Sequence, residues 1–224
     1  MIRKSIIFSL LFQFIIIVIS FYFLNIKVKA KYRVLQDILL LENIVQIIEF
    51  LFYFLILLYF YDTLQKVDIA KYRYIDWVIT TPTMILSTIL FFRFNNINND
   101  KNNSEKLSLE SFVNSDKENI LLLFFLNFMM LFFGFLNEIN IIDIFYSTIF
   151  GFFFFYLLFF NIYKIYAKYS SKNYFIFFFM TFVWGLYGIS AIFNNNIKNT
   201  FYNILDIISK NFYALYLSYI IYNL

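Results

Sequence analysis

Seven largely apolar stretches of about 17 to 28 residues, set between polar connections, constrain this chain more than any other feature. They lie at 5–24, 34–61, 72–94, 120–136, 141–166, 174–193 and 200–222. In lipid, a backbone must satisfy its own hydrogen bonds, so consecutive apolar spans of this length are read as α-helices. The reading is therefore an all-α membrane protein, a bundle of seven transmembrane helices forming a single domain over 1–224. With 62% hydrophobic residues and a mean hydropathy of +0.73, the chain is too apolar for an ordinary soluble domain. The first span follows MIRK directly, is too long for a signal-peptide core, and lacks a small-residue cleavage site.

The same composition removes whole classes of chemistry. The chain has no cysteine and no histidine, which excludes disulfides, thiolate nucleophiles, imidazole acid–base catalysis and nearly every transition-metal site. No enzyme activity and no metal site are expected. The net charge of +4 sits mostly in loops and acts as a topology signal rather than a nucleic-acid surface. Eleven Lys and Arg residues lie at the connections between spans one and two, three and four, and five and six, against five at the other ends. The N-terminus is thus expected outside and the C-terminus in the cytoplasm. The Asn-rich stretch 95–119 reads as a solvated linker, with a short interfacial helix at 107–113 the less favoured alternative.

Polar residues inside the spans carry the functional reading, because a charge within a bilayer is costly and rarely kept without use. In the first span Ser9, Gln13 and Ser20 recur on one face. In the second, Glu42, Gln46 and Glu49 step by four and three, a file about 10 Å long. Glu42 either reaches the headgroups or belongs to this file. Glu49 lies near mid-bilayer. The third span reads YRYIDWVITTPTMILS, and Arg73, Asp76, Thr80, Thr83 and Ser87 form a polar stripe with the chain's only proline, Pro82, beside it. A kink near residue 78 is predicted. The seventh span answers with Asn203, Asp206, Lys210 and Tyr213 on one face, Asp206 and Lys210 being i,i+4 partners. Arg73, Asp76, Asp206 and Lys210 together sum to zero charge. Such a cluster is either a structural membrane ion pair or the seat of a Schiff base, in which the Lys210 amine attacks a carbonyl and carboxylates stabilise the resulting cation.

RYIDWVITTP (73–82 with its flanks), WGLYG (Trp184 to Gly188) and LDIISKN (Leu205 to Asn211) resemble, in order and spacing, the signature motifs of microbial rhodopsins. The A/T-biased composition is similar to rhodopsins of giant viruses of algae. The resemblance implies all-trans retinal bound through a Schiff base on Lys210, with Trp77, Trp184 and Tyr187 around the polyene and Thr81 and Met84 also in the pocket. Met84 implies green rather than blue absorption. It implies Asp76 as primary counterion and proton acceptor, Asp206 as second counterion, Arg73 as the outer charge gate, and Thr80 as a hydrogen-bond donor to the Asp76 carboxylate. Gly188 departs from the proline common there in pumps. The implied setting is a multi-pass protein of a viral or host-cell membrane, in contact with lipid and moving cations or protons, with homo-oligomers open.

Pumps, channels and sensors share this fold. The position three turns beyond the counterion, where a proton pump of the family carries a carboxylate, is Ser87 here, and FNNNIKNT at the last turn offers no carboxylate pair for proton release. Glutamates on the second span and an asparagine directly after the lysine resemble channelrhodopsins instead. The reading is a light-gated cation channel whose path includes Ser9, Gln13, Glu42, Glu49, Ser87 and Asn211. In this reading Gln13, Glu49 and Asn211 meet as a constriction closed by hydrogen bonds in the dark. An outward proton pump is the alternative, and a sensor signalling through a partner the third.

Overall fold

The computed structural model describes residues 2–64, 68–99 and 107–224. Among these there are no strands, and seven helical segments are long and apolar enough to cross a membrane. They are α1 (Ile2–Leu24), α2 (Arg33–Phe60), α3 (Ala70–Asn99), α5 (Lys117–Glu138), α6 (Ile144–Ile165), α7 (Ser171–Ser190) and a last span made of α8 (Asn195–Asp206), a π-helical turn (Ile207–Asn211) and α9 (Phe212–Tyr222). A further short helix, α4 (Leu109–Ser115), precedes α5.

Burial is inverted relative to a soluble bundle. On α1, Phe8, Leu11, Phe14 and Val18 are exposed while Ser9, Gln13 and Ser20 are fully buried. Apolar side chains face the position of lipid and polar ones face each other, the arrangement expected when water drives no helix association. On α2 the buried face runs Glu42, Gln46, Glu49, Tyr53, Ile56, a continuous seam at helical spacing. α3 and the last span, with most of their residues buried, form the centre. α6 is the most peripheral.

α3 runs without interruption through Pro82. The hydroxyls of Thr80, Thr81 and Thr83 each donate to the carbonyl four residues back, those of Asp76, Trp77 and Ile79. α3 also extends past residue 94 to Asn99, and its polar end is held by a buried amide cluster. Asn173 of α7 accepts from Asn95 at 2.9 Å and donates to Asn96 at 3.0 Å.

The expected linker 95–119 is corrected in part: α4 is ordered by a reciprocal cap between Ser108 and Ser111. Its Phe112 is buried against the Tyr166 ring at 6.1 Å. Burying one phenylalanine outweighs the linker composition around it. Residues 100–106 of that stretch lie outside the described residues. Between α5 and α6, Asn140 takes a left-handed φ of 59°, which an asparagine tolerates and which ends α5.

Candidate functional site

The site is built on the π-helical turn at Ile207–Asn211. A π turn widens the helix by one residue, and such bulges recur at functional sites because they re-aim the side chains they carry. Here it sends Lys210 into the bundle centre, where it is 2% exposed. Lys210 Nζ donates to Asp76 Oδ2 at 2.8 Å, lies 3.5 Å from Asp206 Oδ1 and 3.8 Å from Glu49 Oε1. Arg73, fully buried, places Nη1 3.2 Å from Asp206 Oδ2. Its other nitrogens donate to Asn203 and, at 3.3 Å, to Asn199.

Asp206 is the most firmly held carboxylate. Tyr53 and Tyr187 each donate a hydroxyl to it at 2.7 Å, one to each oxygen, and Tyr53 in turn accepts from Arg73 at 3.0 Å. Asp76, by contrast, leaves Oδ1 with no hydrogen-bond partner among the described residues. Thr80 does not donate to the Asp76 carboxylate, as the resemblance implied. Its hydroxyl is taken by the Asp76 backbone carbonyl at 2.9 Å, the default for a threonine in a membrane helix. Thr83 also leaves the stripe: it is only half-buried, at the edge of the inward face.

The larger correction concerns Glu49. It is not separate from the chromophore site: it belongs to the lysine's own charge cluster as well as to the buried seam of α2, so two cations face three carboxylates rather than two. Gln13, Glu49 and Asn211 are all fully buried, yet no hydrogen bond joins them among the described residues. Gln13 Nε2 donates to Ser9 at 3.0 Å. Its Oε1, both oxygens of Glu49 and both amide atoms of Asn211 have no hydrogen-bond partner among the described residues. Further along the same seam, Ser20 bonds Asn43 and reaches Gln46 at 3.4 Å, while the side-chain nitrogens of Asn43 and Gln46 are again unpartnered. Glu42 does not reach toward a headgroup. It is fully buried and hydrogen-bonded to Ser87 of α3.

Beside Lys210 a cavity of about 840 Å³, its mouth included, opens between α3, α5, α6 and α7. Trp77, Thr81, Met84, Trp184, Tyr187 and Lys210 all line it. Trp77 meets Tyr187 edge to face at 5.5 Å, and Asn127 of α5 donates to Thr81 at 2.8 Å. The walls are almost wholly apolar and one end is an amine beside carboxylates, which fits a polyene aldehyde such as retinal. Gly188 is explained by packing: a Cβ there would stand 2.8 Å from the Phe152 ring.

At the end of the bundle where α3 begins, the structure supplies a carboxylate pair that the last turn alone does not offer. Lys198 bonds Asp68 at 2.9 Å and Glu138 at 2.8 Å, and Asn199 joins Asp68, at 3.0 Å, to Arg73. No helical spacing connects these residues, because they come from three different elements. Burial pushes the Asp68 carboxyl up, but the Ala70 amide, the Lys198 ammonium and the Asn199 amide outweigh it and hold it below the usual aspartate value. A lowered folded pKa stabilises the fold above the ordinary aspartate pKa of about 3.9, and that contribution is lost as pH falls through the folded value. Thermal melts between about pH 6 and 3 are expected to show it, and Asp68→Asn to remove that part of the dependence. Lys198→Met, which strands two carboxylates, is expected to destabilise by about 3–5 kcal/mol; an unchanged melt would contradict the pairing.

Tyr53, Asn43, Asn127, Asp68 and Glu138 were not singled out from the sequence. Tyr53 and Asn43 had a signal, since Tyr53 continues the 42–46–49 seam by one more step of four and Asn43 adjoins it. Asn127 is a lone amide in an apolar span.

A buried lysine ringed by carboxylates at the head of an apolar cavity, in a seven-helix membrane bundle, defines a retinal-type photoreceptor scaffold. The chain belongs to the family described as Bacteriorhodopsin-like protein, which it matches over residues 3–224. Members of this family bind retinal through a Schiff base to a lysine and act as pumps, channels or sensors rather than enzymes. The protein is accordingly a multi-pass integral membrane protein.

Among solved structures it is similar to viral rhodopsin OLPVRII, with a TM-score of 0.80 and 25% identity, covering 99% of this chain and 98% of that one. Blue light-absorbing proteorhodopsin from Med12 matches with a TM-score of 0.70 at 19% identity over 99% and 96% of the two chains. Xanthorhodopsin, a light-driven ion pump with dual chromophore, matches at 0.70 and 19% over 98% and 91%. No curated protein sequence matches the chain.

Proposed function

We propose that the protein is a light-gated cation channel, one domain over 1–224, of the channelrhodopsin-like kind, with retinal held on Lys210 and Asp76 and Asp206 as counterions. The carrying observation is the file of fully buried polar atoms without hydrogen-bond partners among the described residues on Gln13, Asn43, Gln46, Glu49 and Asn211, between α1, α2 and the π turn. Buried polar groups are almost always hydrogen-bonded, so a file of orphans in a membrane core calls for water or ions along it. Carboxylates at its centre favour cations. The loop-charge asymmetry supports an outer N-terminus, which puts Asp68, Glu138 and Lys198 at the outer mouth.

Bound retinal supplies a light-driven change of shape next to the lysine nitrogen. The chain's own residues do the rest. Trp77, Trp184, Thr81, Met84 and Tyr187 confine the polyene. Asp76 holds the proton at Nζ and has a free oxygen to receive it. Tyr53, Tyr187 and Arg73 keep Asp206 fixed while this happens. Because Lys210 and Asn211 share the π turn, a displacement of one moves the other against Gln13 and Glu49, which couples the chromophore to the file. Asp76→Asn is expected to shift absorption to the red, since removing the anion nearest the imine nitrogen lowers the energy of its excited state relative to the ground state. An unchanged spectrum would transfer the counterion role to Asp206.

The channel reading is tested by light-evoked currents in Asn211→Ala, Gln13→Ala and the double variant. One shared constriction requires non-additive effects, by at least about 0.5 kcal/mol in apparent gating energy. Additive effects would place them in separate sites.

An outward proton pump is favoured by a different observation. Glu42, hydrogen-bonded to Ser87, brings a carboxylate from α2 to the position that α3 leaves without one. In that reading Glu42→Gln slows recovery of the resting absorption by about 10-fold or more, the usual weight of one positioned proton donor being 100-fold or more. In the channel reading recovery is nearly unaffected.

A further inference from the structure

Only 4 of the chain's 224 residues are glycine, against 35 phenylalanines, and three of the four line the cavity beside Lys210. Two of those three are accounted for by protein neighbours. A Cβ at Gly134 would run into the Tyr74 hydroxyl and one at Gly188 into the Phe152 ring. Gly151 has no such reason: a Cβ there would meet nothing within 4 Å. None of the described residues requires a glycine at this point of α6, where it costs roughly 1 kcal/mol relative to alanine. The space it leaves belongs to the cavity.

That space lies at the wall α6 presents, away from the amine. A polyene aldehyde joined to Lys210 by its carbonyl end must direct its ring to the far wall. On α6, Ser147, Thr148 and Gly151 share the cavity-facing stripe at spacings of three and four. The Ser147 hydroxyl donates to the Phe133 carbonyl at 2.9 Å and the Thr148 hydroxyl to the Ile144 carbonyl at 2.7 Å. Each has therefore committed its hydrogen and keeps an accepting lone pair. The complement of that wall is a donor.

The geometry points to a side pocket at Gly151, bordered by Ser147 and Thr148, that accepts a hydroxyl group on the ring of the chromophore, making ring-hydroxylated retinals ligands of this protein as well as retinal itself. The inference rests on the reading of Lys210 as the attachment point. The group on the ring fills the volume without a Cβ and donates to a hydroxyl oxygen on α6.

The test uses membranes containing the full chain made without retinal, titrated with all-trans-retinal or all-trans-3-hydroxyretinal, following growth of the visible band. The native chain is expected to form a band with both and to favour the hydroxylated aldehyde by about 2- to 10-fold, the net worth of one hydrogen bond. Gly151→Leu fills the side pocket and is expected to lower the apparent affinity for 3-hydroxyretinal 10-fold or more relative to that for retinal. Thr148→Val leaves the volume and is expected to accept both aldehydes with the preference reduced. A native chain that takes retinal but rejects or does not favour 3-hydroxyretinal overturns the proposal, as does a Gly151→Leu variant that handles both alike. No band with either aldehyde overturns the Lys210 reading, and this inference with it.

Discussion

Lys210→Ala, incubated with retinal, is expected to give folded and colourless protein, a complete loss rather than a reduction. The reason is structural as well as chemical. Among the described residues Lys210 is the one amine at the cavity, 2.8 Å from Asp76 and 3.5 Å from Asp206. Removing it also leaves Asp76 and Glu49 without their nearest cation, so some destabilisation accompanies the loss of colour. Lys210→Arg separates the two effects, because it keeps a positive charge while being unable to form the imine. Folded, colourless protein from both variants is the expected result. A visible band in either one, stable to washing, would remove Lys210 from the account.

Glu49→Gln carries the second large effect. At mid-bilayer on the second span, Glu49 would be expected to work in the ion path without touching the chromophore, and its substitution to leave the band in place. The structure changes that expectation. At 3.8 Å a carboxylate and an ammonium interact on the order of 4 kcal/mol at an effective dielectric of about 20. The substitution is therefore expected to move the absorption band to the red and to change the size and closing rate of the light-evoked current. A band that stays in place while the current changes would confine Glu49 to the path. A variant indistinguishable from the parent in both would take it out of the mechanism.

That revision shows what a one-dimensional reading can and cannot reach. Arg73, Asp76, Asp206 and Lys210 were legible because steps of three and four residues mark one face of a helix, and because charges in an apolar span are conspicuous. All seven spans were legible from length and hydropathy alone. The nearness of Glu49 to Lys210 was not legible for a physical reason. Depth can be counted along a helix, but the rotation of Lys210 toward α2 comes from the π turn, where the 3.6-residue period fails and no residue type announces it. The Thr80 hydroxyl went to its own backbone because that acceptor is always in reach.

The Lys198–Asp68–Glu138 group was invisible since it depends on how three distant elements meet. The α4 helix was read as linker because an Asn-rich flank conceals a single buried phenylalanine and a serine cap. Glu42 shows the same limit from the other side. From spacing it either reached the headgroups or joined the polar file, and only the packing of α2 against α3 brings it to Ser87.

Channel and pump differ most directly in the current–voltage relation of the light-evoked current, measured with the cation gradient set and then inverted. A passive path along Gln13, Glu49 and Asn211 gives a current that changes sign at a potential that follows the imposed gradient, as this account predicts. A current that stays outward at every voltage and ignores the gradient would contradict it and favour the outward-pump reading.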